Sequence, residues 1–200
     1  MAGANTYLND RERRLLESAV VGIAGAGGLG SNCAMHLVRA GVRRLAIADF
    51  DAVSRTNLNR QFFFRDQIGR KKVAALAENL RRIDAGLELR LCDVRLAPDN
   101  VASVFSGCSV IVEALDSAEA KAMFLNAALP LGRPVVAASG LAGWGRSLEI
   151  RQRCIGNNLI LIGDTASDIR NGLAPVSPRV GIAAAMQANA VIALLLGEEL

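Results

Sequence analysis

Two aspartates, two asparagines, arginines and a glutamine crowd into DFDAVSRTNLNRQ, residues 49–61, directly after an apolar run. A loop needing only solvation would be served as well by Lys, Glu, Ser and Gly. Amide and guanidinium groups are what grip an anion. Upstream, GAGGLG sets Gly25, Gly27 and Gly30 in the G-x-G-x-x-G spacing, with Gly28 in the same turn. Such a turn lets backbone N–H groups and a helix N-terminus approach a phosphate. Asp49 comes about twenty residues further on, where a carboxylate accepts from ribose hydroxyls. To this point a nucleotide and a dinucleotide cofactor fit equally well. Arg60, Lys72, Asn57, Gln61 and Asp116 separate them, because cations with a carboxylate able to hold Mg²⁺ describe a triphosphate. No G-x-x-x-x-G-K-[ST] is present, so this is not a P-loop.

These residues need a frame, and the chain is long enough to build one. Its 200 residues are 52% hydrophobic and 21% charged, with a mean hydropathy of +0.29, on the apolar side of globular. The reading is one domain over residues 1–200. A net charge of +4, with acids between the bases, is too weak to argue for nucleic acid and fits an anionic ligand or an acidic partner at least as well. Cys33, Cys92, Cys108 and Cys154 form no CxxC pair, and the one histidine, His36, sits inside a helical stretch as a structural residue. Met1 to Leu16 is polar and rich in Arg, unlike a signal peptide, so a cytoplasmic protein is expected. The apolar tract 180–196 is broken by Gln187 and Asn189 and reads as a buried helix, with no membrane partner.

The elements alternate. Asn9 or Asp10 caps a helix running to Ser18; AVVGIAG is a buried strand, GAGGLGSNCAMHLVRAGV a turn and helix, RRLAIAD a second strand. Residues 69–84 carry one apolar helical face. Strands follow at 87–94, 110–116 and 134–140, with helices at 98–105 and 117–130. SLEIRQR and NNLILIGD are a final pair of strands before a loop and the last helix. This is an α/β, Rossmann-like, mostly parallel sheet with helices on both faces and antiparallel strands added at the C-terminal side.

The motifs GAGGLGS, DFDxVxxxNLNRQ, GRKKV, EALDSAEAK, ASGLAGWG and PRVGIAAAMQAN, in that order from Val20 to Gly197, resemble the ThiF/MoeB/ubiquitin-activating superfamily. The details are most similar to the short ThiF-type proteins of thiamine biosynthesis. The resemblance implies an ATP- and Mg²⁺-dependent adenylyltransferase acting on the C-terminal glycine of a small sulfur-carrier protein ending in Gly-Gly, and a homodimer. It implies that Asp49 binds the ribose and that the Gly25–Gly30 turn lies against the nucleotide. Asn57, Arg60, Gln61 and Lys72 would surround the phosphates and Asp116 would hold Mg²⁺. Lys72, rather than Lys71, stands in the family's place before Val73. Arg11, Arg13 or Arg14 could complete a partner subunit's site.

Blander readings stand beside these. Arg60 and Lys72 could be solvated, Asp116 could cap the next helix, Asp51 could coordinate or cap a turn, and Trp144 could line a groove or pack on the sheet edge. Two departures from the family set further expectations. The two CxxC pairs of many relatives are absent, so no structural zinc is expected. The loop 163–177 holds no cysteine, and Cys154 reads as a small packed strand residue. The chain should therefore stop at the acyl-adenylate. Rival functions are a nicotinamide-dependent oxidoreductase, a non-catalytic adaptor, and adenylation of another acceptor such as a tRNA base or a peptide carboxylate.

Overall fold

The computed structural model describes residues 7–167 and 172–198. Helix α1 (Asp10–Ser18) starts at Asn9, whose side chain accepts from the Glu12 N–H while Glu12 reaches back to the Asn9 N–H, a capping box. The chain then alternates β1 (Val20–Ala24), α2 (Gly28–Ala40), β2 (Arg44–Ala48), α3 (Lys72–Arg81), β3 (Glu88–Cys92), α4 (Val101–Val104), β4 (Val110–Glu113), α5 (Ala118–Ala128) and β5 (Val135–Ala138). It ends with β6 (Arg151–Ile155), β7 (Leu159–Gly163) and α6 (Ser177–Leu196). The seven strands lie in the order β3-β2-β1-β4-β5-β7-β6.

Strand side chains alternate between two cores. Leu45 and Ile47 of β2 join the core under α1, α2, α3 and α6, while Ala46 and Ala48 join the one under α4 and α5. The alternation sorts the helices onto opposite faces of the sheet. On the second face Phe105 and Phe124 meet edge to face, with ring centroids 5.7 Å apart.

Three details differ from the sequence reading. The helix expected at 98–105 is a single turn, and the run expected from Ser147 begins with a 3-10 turn, Ser147–Glu149, before β6 starts at Arg151. The last two strands do pair antiparallel, but β7 joins β5 in parallel, so only the edge strand β6 opposes the sheet direction. The connection of residues 139–150 carries the chain to the rim before it turns back, which gives β7 its direction.

Helix α6 is long and apolar enough to cross a membrane by length and composition alone. Here it packs against α2 and the sheet. The polar break has a use: Gln187, fully buried, donates to the Glu113 and Val136 carbonyls at 2.9 and 3.2 Å.

Candidate active site

Going out from β1, the chain first fills β2 and β3 on one side and then returns to place β4 and β5 on the other. The strand order therefore reverses between β1 and β4, and a crevice opens outside their carboxyl ends, where the connections leave in opposite directions. A cleft of about 820 Å³ lies there, lined by residues of the glycine turn, the β2 end, the 60–61 segment, the start of α3, the β4–α5 turn and the segments after β5 and β7. That size suits a nucleotide-scale ligand.

The glycines of the turn divide their work. Gly25 has φ +97°, and a Cβ there would come within 2.7 Å of the Ala114 carbonyl. A Cβ on Gly30 would land on the Gly25 carbonyl, so Gly30 is a packing residue outside the cleft lining. Gly27 and Gly28 do line it, and the only heavy atom a Cβ on Gly27 would approach is Gln61 Nε2, at 3.8 Å. The first turns of α2 also fasten the 60–62 segment. Asn32 Nδ2 donates to the Gly28 and Arg60 carbonyls at 2.6 and 2.8 Å, and the Phe62 N–H donates to Ser31 Oγ at 3.0 Å.

Asp49 is held by backbone on both oxygens: Oδ2 accepts from the Ala26 N–H at 2.7 Å and Oδ1 from the Asp51 N–H at 2.8 Å. Burial raises its pKa above the usual carboxylate range, against the pull of Lys72 and those two N–H groups. Lys72 is only 6% exposed, and its Nζ sits 2.8 Å from Asp51 Oδ2. Lys71 turns away, donating to the Phe50 carbonyl and Asp93, each at 3.0 Å. Register thus sends Lys72 into the cleft and Lys71 outside it.

Arg60 lines the cleft with its guanidinium steadied by Asn59 Oδ1 at 2.8 Å and the Thr56 carbonyl at 3.3 Å. Gln61 is buried beside it, and its Oε1 has no hydrogen-bond partner. Asn57 sits a layer back: its Oδ1 accepts from the Ser54 N–H at 2.9 Å and its carbonyl takes the Arg60 and Gln61 N–H groups. It shapes the turn and is not part of the lining. Asp116 lines the opposite wall, exposed, next to Ser117, whose hydroxyl accepts from the Ala120 N–H and so caps α5. The capping role thus falls to Ser117.

Four features escaped the sequence. A fully buried Glu113 pairs through both oxygens with Lys121 Nζ, 3.0 Å each, and Lys121 lines the cleft. Arg95 stacks on the Phe50 ring, 3.9 Å from its centroid, at the edge beyond Asp49. Asp164 and Arg179 form a buried pair at 2.5 Å. Small residues, Ser139, Gly140, Ala142, Ala166 and Ser167, floor the far end. Glu113 and Lys121 bound the motif EALDSAEAK and Arg179 lies in PRVGIAAAMQAN, but only the tertiary fold shows which charges pair.

The other sequence candidates lie elsewhere. Arg13 pairs with Asp10 on α1, and none of Arg11, Arg13 and Arg14 lines this cleft. Trp144 is 71% exposed and does not pack on the sheet edge; it follows Leu141 and Ala142, which do line the cleft. Cys154 is exposed, not packed, because β6 is the rim strand and offers little cover to its side chains. His36, partly exposed on α2, has its pKa lowered by burial and by Arg39. Among the described residues no three His, Cys, Asp or Glu side chains cluster as a metal site.

The donor set fits a nucleoside triphosphate: an open glycine backbone, a fixed carboxylate at the β2 end, and Arg60, Gln61 and Lys72 together on one wall. Comparison with known proteins points the same way. Over 136 residues, 68% of its length, the chain is 35% identical to the adenylyltransferase and sulfurtransferase uba4 of Aspergillus niger. It is 32% identical over 143 residues to the tRNA threonylcarbamoyladenosine dehydratase of Escherichia coli. The aligned regions span 28% and 53% of those relatives. In fold, the chain superposes on the crystal structure of the E. coli dehydratase TcdA in complex with AMP with a TM-score of 0.88 at 21% identity, covering 98% of this chain and 93% of that one. It also superposes on E. coli MccB with ATP at 0.74 and 19% identity, covering 92% and 58%. The family model of ThiF matches residues 4–200, and the chain belongs to the ThiF family.

Proposed function

We propose that this protein is an adenylyltransferase that uses ATP to activate a carboxylate, releasing pyrophosphate, and that the acceptor is the terminal glycine of a small ThiS-like sulfur carrier. The observation that carries it is the convergence of Asp49, Arg60, Gln61, Lys72 and Asp116 on one cleft beside an open glycine turn. A carboxylate oxygen of the acceptor bonds to the α-phosphorus, the bond from that phosphorus to the bridging oxygen breaks, and its electron pair leaves on pyrophosphate. Asp49, fixed by the Ala26 and Asp51 N–H groups, holds the sugar. Arg60 and Lys72 stabilise charge gathering on the leaving oxygens, and Lys72 exchanges its Asp51 partner for phosphate. No base is required, because the acceptor is already ionised at neutral pH.

One carboxylate with the phosphates of the substrate is an ordinary Mg²⁺ ligand set, so Asp116 is the residue that would hold the ion. Bound there, Mg²⁺ would supply charge neutralisation on the phosphate oxygens. The small side chains of Ser139, Gly140, Ala142 and Ala166 suit an unbranched glycine tail. Isotope exchange between labelled pyrophosphate and ATP tests the reading. Exchange is expected with a Gly-Gly-ended carrier and not with the same carrier lacking those glycines. Exchange with tRNA bearing a carboxylated adenosine instead would transfer the acceptor assignment to tRNA. Binding of NAD but not ATP would end the adenylation reading altogether.

A further inference from the structure

We propose that Lys121 is the cation that receives the acceptor's carboxylate, and that buried Glu113 is the positioning residue that holds it there. The inference rests on the adenylation reading and assigns the half of the cleft to which that reading gives no cationic side chain. Among the described residues, four cationic side chains line the cleft: Arg60, Lys72, Arg95 and Lys121. Arg60 and Lys72 stand on the wall of the glycine turn and α3, and Arg95 is stacked on Phe50 beyond Asp49. Lys121 alone belongs to the opposite wall, on α5, behind Asp116.

In-line displacement fixes which wall the acceptor needs. Pyrophosphate departs toward Arg60 and Lys72, so the entering oxygen comes from the other side of the α-phosphorus. That oxygen is anionic and approaches a polyanion. A Mg²⁺ ion at Asp116 would be engaged by the phosphates, so an entering carboxylate still needs a positive side chain to offset the repulsion. Lys121 supplies it: two of its ammonium protons face the Glu113 oxygens and the third is spare, while its side chain stays 19% exposed at the cleft.

Glu113 is built as a fixture. Fully buried at the end of β4, it accepts from Lys121 and from the Leu115 N–H at 2.7 Å, and the Ala138 N–H at the end of β5 helps to stabilise its charge. It therefore ties together the two strand ends whose loops carry Asp116 and Ser139. Gln187 of α6 secures the Glu113 carbonyl from behind. A buried ion pair adds little net stability over apolar residues of the same shape, so stability alone gives no reason for its being here.

The test compares Lys121→Met, Lys121→Arg and the double variant Glu113→Gln with Lys121→Met, which removes both charges while keeping an acceptor for the two N–H groups. The probe is a synthetic peptide ending in Gly-Gly, titrated calorimetrically into protein saturated with the α,β-methylene analogue of ATP, which cannot transfer its adenylyl group. In Lys121→Met and in the double variant the peptide should bind about tenfold more weakly or worse, with the affinity for the ATP analogue held within about twofold. Lys121→Arg should restore most of the peptide affinity. In exchange assays the same variants should raise KM for the peptide and leave KM for ATP. Unchanged peptide binding in the double variant, or equal loss of peptide and nucleotide, would overturn the assignment. Wild-type protein that binds ATP but supports no carboxylate-dependent exchange would instead refute the adenylation reading and this role with it.

Discussion

Arg60 and Lys72 carry the same charge in different settings. Lys72 is buried and paired with Asp51, so it belongs to both fold and chemistry. The Arg60 guanidinium donates to Asn59 and the Thr56 carbonyl, contacts a surface loop can lose. Arg60→Ala should lower the exchange rate by roughly a hundredfold, while unfolding free energy changes by about 0.5 kcal/mol or less. Exchange assays beside urea titrations measure both, and matched losses would deny Arg60 a role at the phosphates. That Asp49, Arg60, Lys72 and Asp116 share a cleft was legible from type and spacing, since Asp49 and Asp116 follow strand ends, Lys72 opens α3 and Arg60 lies in the connection between β2 and α3. Lys121 was not. Its partner Glu113 lies inside an apolar strand, and nothing in VIVEALD says whether that carboxylate faces solvent or core.

The glycine turn is one element whose positions make separable demands. At Gly30 an added methyl group meets the Gly25 carbonyl and the first turn of α2 must shift, whereas at Gly27 it meets open cleft. Gly30→Ala should destabilise the fold by about 1–3 kcal/mol. Gly27→Ala should fold normally and bind ATP poorly, which denaturation and a fluorescent-nucleotide titration would separate. The reverse pattern would mean the turn does not face the phosphates. Sequence reading grouped these glycines because G-x-G-x-x-G records a shared backbone shape, not which carbonyl each hydrogen faces. It placed the strands and long helices to within a few residues. The parallel pairing of β7 was hidden, because which of the last two strands lands beside β5 depends on how far residues 139–150 carry the chain.

Across the whole molecule, the Asp164–Arg179 pair locks the rim to α6. Arg179, 3% exposed, also donates to the Gly145 and Arg146 carbonyls, while Asp164 gathers the Ala166 and Ser167 N–H groups. Burial would raise the Asp164 pKa, but those N–H groups and Arg179 outweigh it and hold the carboxyl below its ordinary value. A depressed carboxylate contributes stability that is complete above the unfolded pKa, about 4, and lost as pH falls through the folded value. Asp164→Asn should therefore cost about 3 kcal/mol near neutrality, where it strands a buried guanidinium. The gap to wild type should close on acidification, as followed by urea melts from about pH 7 to pH 3. A gap constant with pH would show that the ionised form is not what matters.

The packing of α6 against α2 also bears on how the chain reaches its native state. These helices lie at opposite ends of the sequence, yet together they cover the same face of the sheet. All of the chain through α6 must leave the ribosome before that face can close. Until then β4, β5 and β7 lack the helix that covers them on this face. Maturation is accordingly governed by remote contacts, a slow and aggregation-exposed route.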